Sequence, residues 1–230
     1  KRLSTILGAV DPRLPAQDSD RFHFERLATL GRGSLLAVTP QMTIQAVRWS
    51  VLEGVSAEGL LLKPVTVKAC VVALPDADWS PEMFSGLTDE LPPGLQLARR
   101  LADHGCLVVV PTLINRQETY SGHPAVGFTN QPHREFVYRQ SFQLGRHVIG
   151  YEVQKIMAAV DLLQQLVDPG TANSQETTAP CSIGLLGVGE GGLLAFYASA
   201  LDRRIQSTLV SGYFEPREGL WKEPVYRNLW

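Results

Sequence analysis

The sequence predicts an α/β protein: a mostly parallel sheet with helices on both faces, preceded by an antiparallel hairpin. Three observations carry this expectation. Short continuous apolar runs recur between residues 68 and 213, as for strands buried on both faces. Helical stretches separate those runs, the order that builds parallel sheets with crossover helices. A glycine-rich turn, Gly187-Val188-Gly189-Glu190-Gly191-Gly192, stands between one run and a helix.

Residues 1–40 are polar and broken by Asp11-Pro12, Leu14-Pro15 and Gly31-Arg32-Gly33. They read as an N-terminal arm with a short helix near residues 22–30, ahead of one domain over 41–230. Residues 42–52 (MTIQAVRWSVL) alternate like a half-buried strand. Glu53-Gly54 marks a turn, residues 57–63 (AEGLLLK) return, and Pro64 ends the hairpin. Residues 68–74 (KACVVAL) and 106–113 (CLVVVPTL) are buried-strand runs. Between them residues 95–104 are helical, with Leu97 and Leu101 one turn apart and Gly105 as the stop.

Residues 114–133 form a long loop rich in Gly, Pro, Asn and His, a length usual for functional or lid-like segments. The strongest helical signal follows. Ile149, Val153, Ile156, Val160, Leu163 and Val167 step by four and three into one apolar stripe, with Gly145 and Gly150 placed to interrupt its start. Residues 168–180 are a polar loop, 182–187 a strand, 191–201 a helix and 205–213 a strand.

Composition excludes several classes. A net charge of −2 gives no footprint for nucleic acid. No apolar run approaches the roughly 18 residues of a membrane span. The first residue is Lys1 and not Met, so a processed, exported or periplasmic protein is one expectation and a missing true start another. Cys70, Cys106 and Cys181 lack metal-ligand or redox spacing. The first two lie in apolar runs and read as small buried hydrophobes. No cofactor and no metal is expected.

The glycine turn admits three readings. It fits a nucleophile elbow, G-x-S-x-G, in which a serine sits on a sharp strand-to-helix turn. Gly187 and Gly191 are in register, but Gly189 stands where the serine belongs. Gly187, Gly189 and Gly192 also satisfy the dinucleotide pattern G-x-G-x-x-G. That loop usually opens its domain, however, and no acidic residue closes the next strand. The third reading is a turn that only packs a helix on a strand. The elbow is the favoured one.

Other segments support it in order. They are Leu74-Pro75-Asp76-Ala77-Asp78, the run Leu97-Ala98-Arg99-Arg100-Leu101-Ala102-Asp103-His104-Gly105 leading into residues 106–111, His133-Arg134-Glu135-Phe136-Val137-Tyr138-Arg139, Leu144-Gly145-Arg146 and Ala159-Val160-Asp161. Together they resemble the acetylxylan-esterase and dienelactone-hydrolase-like branch of the α/β-hydrolase superfamily, over about residues 42–230. The resemblance implies an esterase scaffold for carbohydrate or small esters, with the nucleophile at position 189. It implies an oxyanion hole from the backbone N–H of Glu190 and a second donor after the 68–74 strand, best placed at Ala77. It also implies two further strands bearing an acid and then a histidine. The sequence stops at Trp230, so a C-terminally incomplete version of that pattern is expected. Without its serine, the chain is expected to be a degenerate esterase or a pseudo-hydrolase that binds a protein partner or serves structure.

The remaining candidates carry a bland reading beside the functional one. Glu190 could act as base or nucleophile, yet acidic residues favour helix N-termini for electrostatic reasons alone. Asp76 and Asp78 are cleft candidates. With Glu82 and Glu190 they could hold a cation, although turn and cap chemistry accounts for such loops more often. His123 and His133 could line the cleft as bases, but no acid at diagnostic spacing accompanies them. Arg134, Arg139 and Arg146 read as ion-pair partners, and Asp161 as a structural position.

Overall fold

The computed structural model describes residues 1–14, 22–31, 33–117, 132–167, 181–214, and 216, 218 and 222. In chain order the elements are α1 (Arg2–Leu7), β1 (Phe24–Arg26), β2 (Leu35–Val38), β3 (Met42–Leu52), β4 (Val55–Pro64), β5 (Ala69–Leu74), α2 (Pro81–Phe84), α3 (Leu97–Asp103), β6 (Cys106–Pro111), α4 (His133–Gln143), α5 (Val148–Val167), β7 (Ile183–Val188), α6 (Glu190–Leu201) and β8 (Ile205–Ser211).

The described strands form one sheet in the order β1-β3-β4-β6-β5-β7-β8, with β2 also on β3. The expected parallel set is present: β5 pairs in parallel with β6 and β7, and β7 with β8. The expected hairpin is β3–β4, and β4 joins the parallel set through antiparallel pairing with β6. Phe24–Arg26 is a strand where a short helix was expected; β1 and β2 both pair antiparallel with β3. Strands of three and four residues are too short to show a period.

Alternation along the central strands divides the core into two layers. Cys70, Val72 and Leu74 of β5, with Leu107 and Val109 of β6, pack with α5 and α6. Ala73, Val108 and Val110 pack on the other face with Phe84 of α2 and Ala98 and Ala102 of α3. Helices therefore cover both faces, which is why these strands read as unbroken apolar runs.

The long helical signal divides in two. Gly145, at φ +67°, follows α4, and α5 restarts at Val148. α5 is buried well beyond its apolar stripe, including Glu152, Gln154 and Asp161. Each of these three has a partner. Lys155 pairs with Glu152 at 2.7 Å, Gln154 donates to the Asp11 carbonyl at 2.6 Å, and Asp161 pairs with Arg13 and Arg204 at 2.8 and 2.6 Å. Each of these side chains is held by at least one such contact, although the Gln154 Oε1 is buried with no hydrogen-bond partner among the described residues.

Candidate functional site at the β7–α6 turn

β7 ends at Val188 and α6 begins at Glu190, so Gly189 alone turns the chain. Its φ of 55° and ψ of −121° lie in a region that is costly for any residue with a Cβ. The turn is pinned by Gly189 N–H to the Ser211 carbonyl at 2.8 Å and Gly192 N–H to the Gly189 carbonyl at 3.0 Å. The flanking glycines are required by contact. A Cβ on Gly187 would lie 2.1 Å from the Gly191 carbonyl oxygen, and one on Gly191 would lie 2.3 Å from that of Pro75. This is the sharp strand–turn–helix expected of residues 182–201.

The side chain at the turn's centre comes from another strand. A Cβ built on Gly189 would lie 1.9 Å from Oδ2 of Asp76, just past the end of β5. That same oxygen accepts the Glu190 backbone N–H at 3.0 Å. The Asp76 carboxylate thus fills the volume of a side chain at position 189 and takes the N–H expected to serve an oxyanion. Local bonds hold it there: its Oδ1 accepts the Asp78 N–H at 3.1 Å, and its carbonyl accepts the Trp79 N–H at 2.9 Å.

Two arginines complete the cluster. Arg116 Nη1 lies 2.6 Å from Asp76 Oδ1 and 3.0 Å from Asp78 Oδ2, and its Nη2 lies 3.3 Å from Glu190 Oε2. Arg134, from α4, meets Glu190 Oε2 at 2.5 Å and donates to the Ile114 carbonyl at 2.6 Å. The Arg134 and Glu190 side chains are only 2% and 4% exposed, so solvent screens this pair little. Glu152 Oε1 accepts the Ile114 N–H at 3.4 Å, so the segment leading to Arg116 is held from both sides.

The electrostatics oppose one another. Burial pushes the Asp76 carboxyl up, but the Arg116 contacts and the N–H groups of Glu190 and Asp78 outweigh it and hold the group below the usual carboxylate range. For Glu190 burial wins: its pKa is raised despite Arg134 and Arg116. The depressed Asp76 pKa adds stability that is present above the unfolded value and lost as the pH falls through the folded one. The raised Glu190 pKa works the other way, its contribution being lost as the pH rises. Asp76→Asn is therefore expected to make the loss of stability below about pH 4 shallower, read by urea unfolding across an acid pH series. An unchanged acid limb would mean that the Asp76 proton is not linked to folding.

The structure gathers Gly189, Glu190, Asp76 and Asp78, and buries Ala77 in the same turn at 1% exposure. His133 is exposed at the start of α4, and His123 lies outside the described residues. Asp76, Asp78 and Glu190 face guanidinium groups, and among the described residues no group of acidic, His or Cys side chains is arranged to hold a metal ion. Arg139 and Arg146 form the expected ion pairs, with Glu135 at 2.6 Å and Asp11 at 2.9 Å. Arg116 was not singled out by sequence reasoning. Its one signal is position, five residues past the carboxyl end of a parallel strand, where open α/β sheets build their sites. Two cavities, of about 470 and 530 Å³, lie around Leu52, Glu53 and Val55, and neither is lined by Gly189, Asp76 or Glu190.

No protein-family model matches the chain, and no curated protein matches it. Solved structures do. A candidate acetyl xylan esterase from Bacteroides fragilis aligns over 89% of this chain and 49% of its own, with TM-score 0.57 and 13% identity. An acetyl xylan esterase from Paenibacillus sp. R4 aligns over 97% of this chain and 62% of its own, with TM-score 0.50 and 12% identity. The chain spans about half the length of the first and 62% of the second. At such identities the likeness concerns architecture: the chain has an α/β-hydrolase-like fold.

Proposed function

We propose that this chain is a pseudo-hydrolase, an esterase-type scaffold with no serine nucleophile that serves binding or structure. One observation carries the reading. The Asp76 carboxylate occupies the side-chain space at Gly189 and accepts the Glu190 N–H at 3.0 Å. A carbohydrate ester or small ester entering this turn would have to displace an anion held by Arg116. Loss of a triad member still leaves about 10³–10⁴-fold catalysis where the oxyanion hole is open. Here the Glu190 donor is already engaged.

Other nucleophiles fare no better. Glu190 is buried and paired with Arg134, and a carboxylate attacking an ester would give a reactive mixed anhydride, a poor intermediate. Ser80 Oγ caps α2 by accepting the Met83 N–H at 3.2 Å, and Ser141 Oγ donates to the Val137 carbonyl at 2.8 Å. The dinucleotide reading is disfavoured by charge, because a diphosphate at the start of α6 would meet the carboxylates of Asp76 and Glu190.

The test is labelling with a fluorophosphonate, followed by intact-mass and peptide mass spectrometry. No adduct is expected, and Glu190→Gln should leave background turnover of an activated ester unchanged. An adduct on Ser80, Ser121, Ser141 or Ser211, with turnover lost on its replacement by alanine, would make the chain an active hydrolase with a relocated nucleophile.

A further inference from the structure

The cysteines, scattered in sequence, are not scattered in space. Cys70 lies on β5 and Cys181 just ahead of β7, 111 residues apart, and their sulfurs are 3.0 Å from one another. The backbone holds them there. The Cys70 N–H donates to the Ser182 carbonyl at 2.9 Å, and the β5–β7 register begins at Cys70 and Ile183. Cys70 is fully buried, whereas Cys181 is half-buried and can be reached from solvent. Cys106 opens β6 on the other side of β5, opposite Ala69. The pair sits at the amino ends of the parallel strands, away from the Gly189 turn at their carboxyl ends.

We propose that Cys70 and Cys181 are an oxidisable thiol pair that a hydroperoxide converts into an intrachain disulfide. The accessible Cys181 sulfur, as thiolate, attacks the peroxide bond; the oxygen–oxygen bond breaks, an alcohol or water departs, and Cys181 becomes a sulfenic acid. The Cys70 sulfur then displaces the hydroxyl. The sulfur–sulfur bond forms, the sulfur–oxygen bond breaks, and the Cys70 proton leaves in water. Two thiols and one hydroperoxide give one disulfide, one alcohol or water, and one further water. Burial, with Cys181 beside it, pushes the Cys70 thiol up, so the half-buried Cys181 and not Cys70 is the thiol that meets the oxidant first.

A bridge across 111 residues removes much freedom from the unfolded chain. Oxidation of the full chain with hydrogen peroxide is therefore expected to raise Tm by roughly 5–10 °C, reversibly with a reducing agent. Alkylation and non-reducing peptide mapping should find the Cys70 and Cys181 peptides joined within one chain and Cys106 alkylated. Cys181→Ser should abolish both the link and the Tm rise; Cys106→Ser should keep both. A link through Cys106, covalent dimers, Cys181 arrested as sulfinic acid beside an alkylated Cys70, or three unreacted thiols would each overturn the proposal.

Discussion

Arg134→Ala is expected to lower the unfolding free energy by about 3–5 kcal/mol, the cost typical of stranding one member of a buried ion pair. Glu190 would keep its burial and lose its 2.5 Å partner, and the Ile114 carbonyl would lose a charged donor. Arg116, 3.3 Å from the same carboxylate oxygen, compensates only in part because it already holds Asp76 and Asp78. The loss should shrink toward acid pH, where the stranded Glu190 takes up a proton. Urea unfolding of the single variant and of Arg134→Ala/Glu190→Gln measures this. The double variant should recover part of the loss, because it removes the charge that was left behind. A single-variant loss below about 1 kcal/mol would place the pair among solvent-screened contacts and deny it a structural role.

Gly189→Ser is expected to destabilise the protein by roughly 2–4 kcal/mol without producing a fast esterase, from backbone strain plus overpacking. The strain arises from φ of 55° at a residue that now carries a Cβ, and the overpacking from Asp76 Oδ2 at 1.9 Å. The two causes separate in a cycle. With Asp76→Ala in the background, the steric part disappears and Gly189→Ser should cost about 1–2 kcal/mol less than in the parent. Equal costs in both backgrounds would show that Asp76 moves aside freely. Burst release from an activated ester by Gly189→Ser alone would show that a base already stands ready beside position 189.

Much of this architecture was legible because burial on two faces writes itself into the chain as short apolar runs. β5, β6 and β7 have that form, and the β3–β4 hairpin announced itself through alternation and Glu53-Gly54. β1 and β2 were hidden: short edge strands, half exposed, take their stability from β3 and little from their own pattern. The elbow was readable from glycine spacing, because close backbone contact leaves no other residue at 187 and 191. What fills it was only partly readable. Asp76 was a cleft candidate, but a lone arginine in a polar loop has no periodicity or motif, and Arg116 becomes meaningful only when folding brings it to Asp76. The thiol pair was invisible for the same reason.

The ionic cluster also has a place in time. Its members lie past β5, past β6, on α4 and at the head of α6; Arg116 is 40 residues from Asp76, and Asp76 is 114 residues from Glu190. None of these groups can meet until three parallel strands are aligned, and ordering long side chains for a few charged contacts is unfavourable before that frame exists. The cluster is therefore expected to form in the last stage of folding, after the rate-limiting barrier, which φ-values near zero for substitutions at Arg116 and Arg134 would show. Contacts formed that late slow the escape from the native state and leave the rate of reaching it nearly untouched. A buried ionic cluster at this turn is thus expected to give the protein persistence, a longer life once folded.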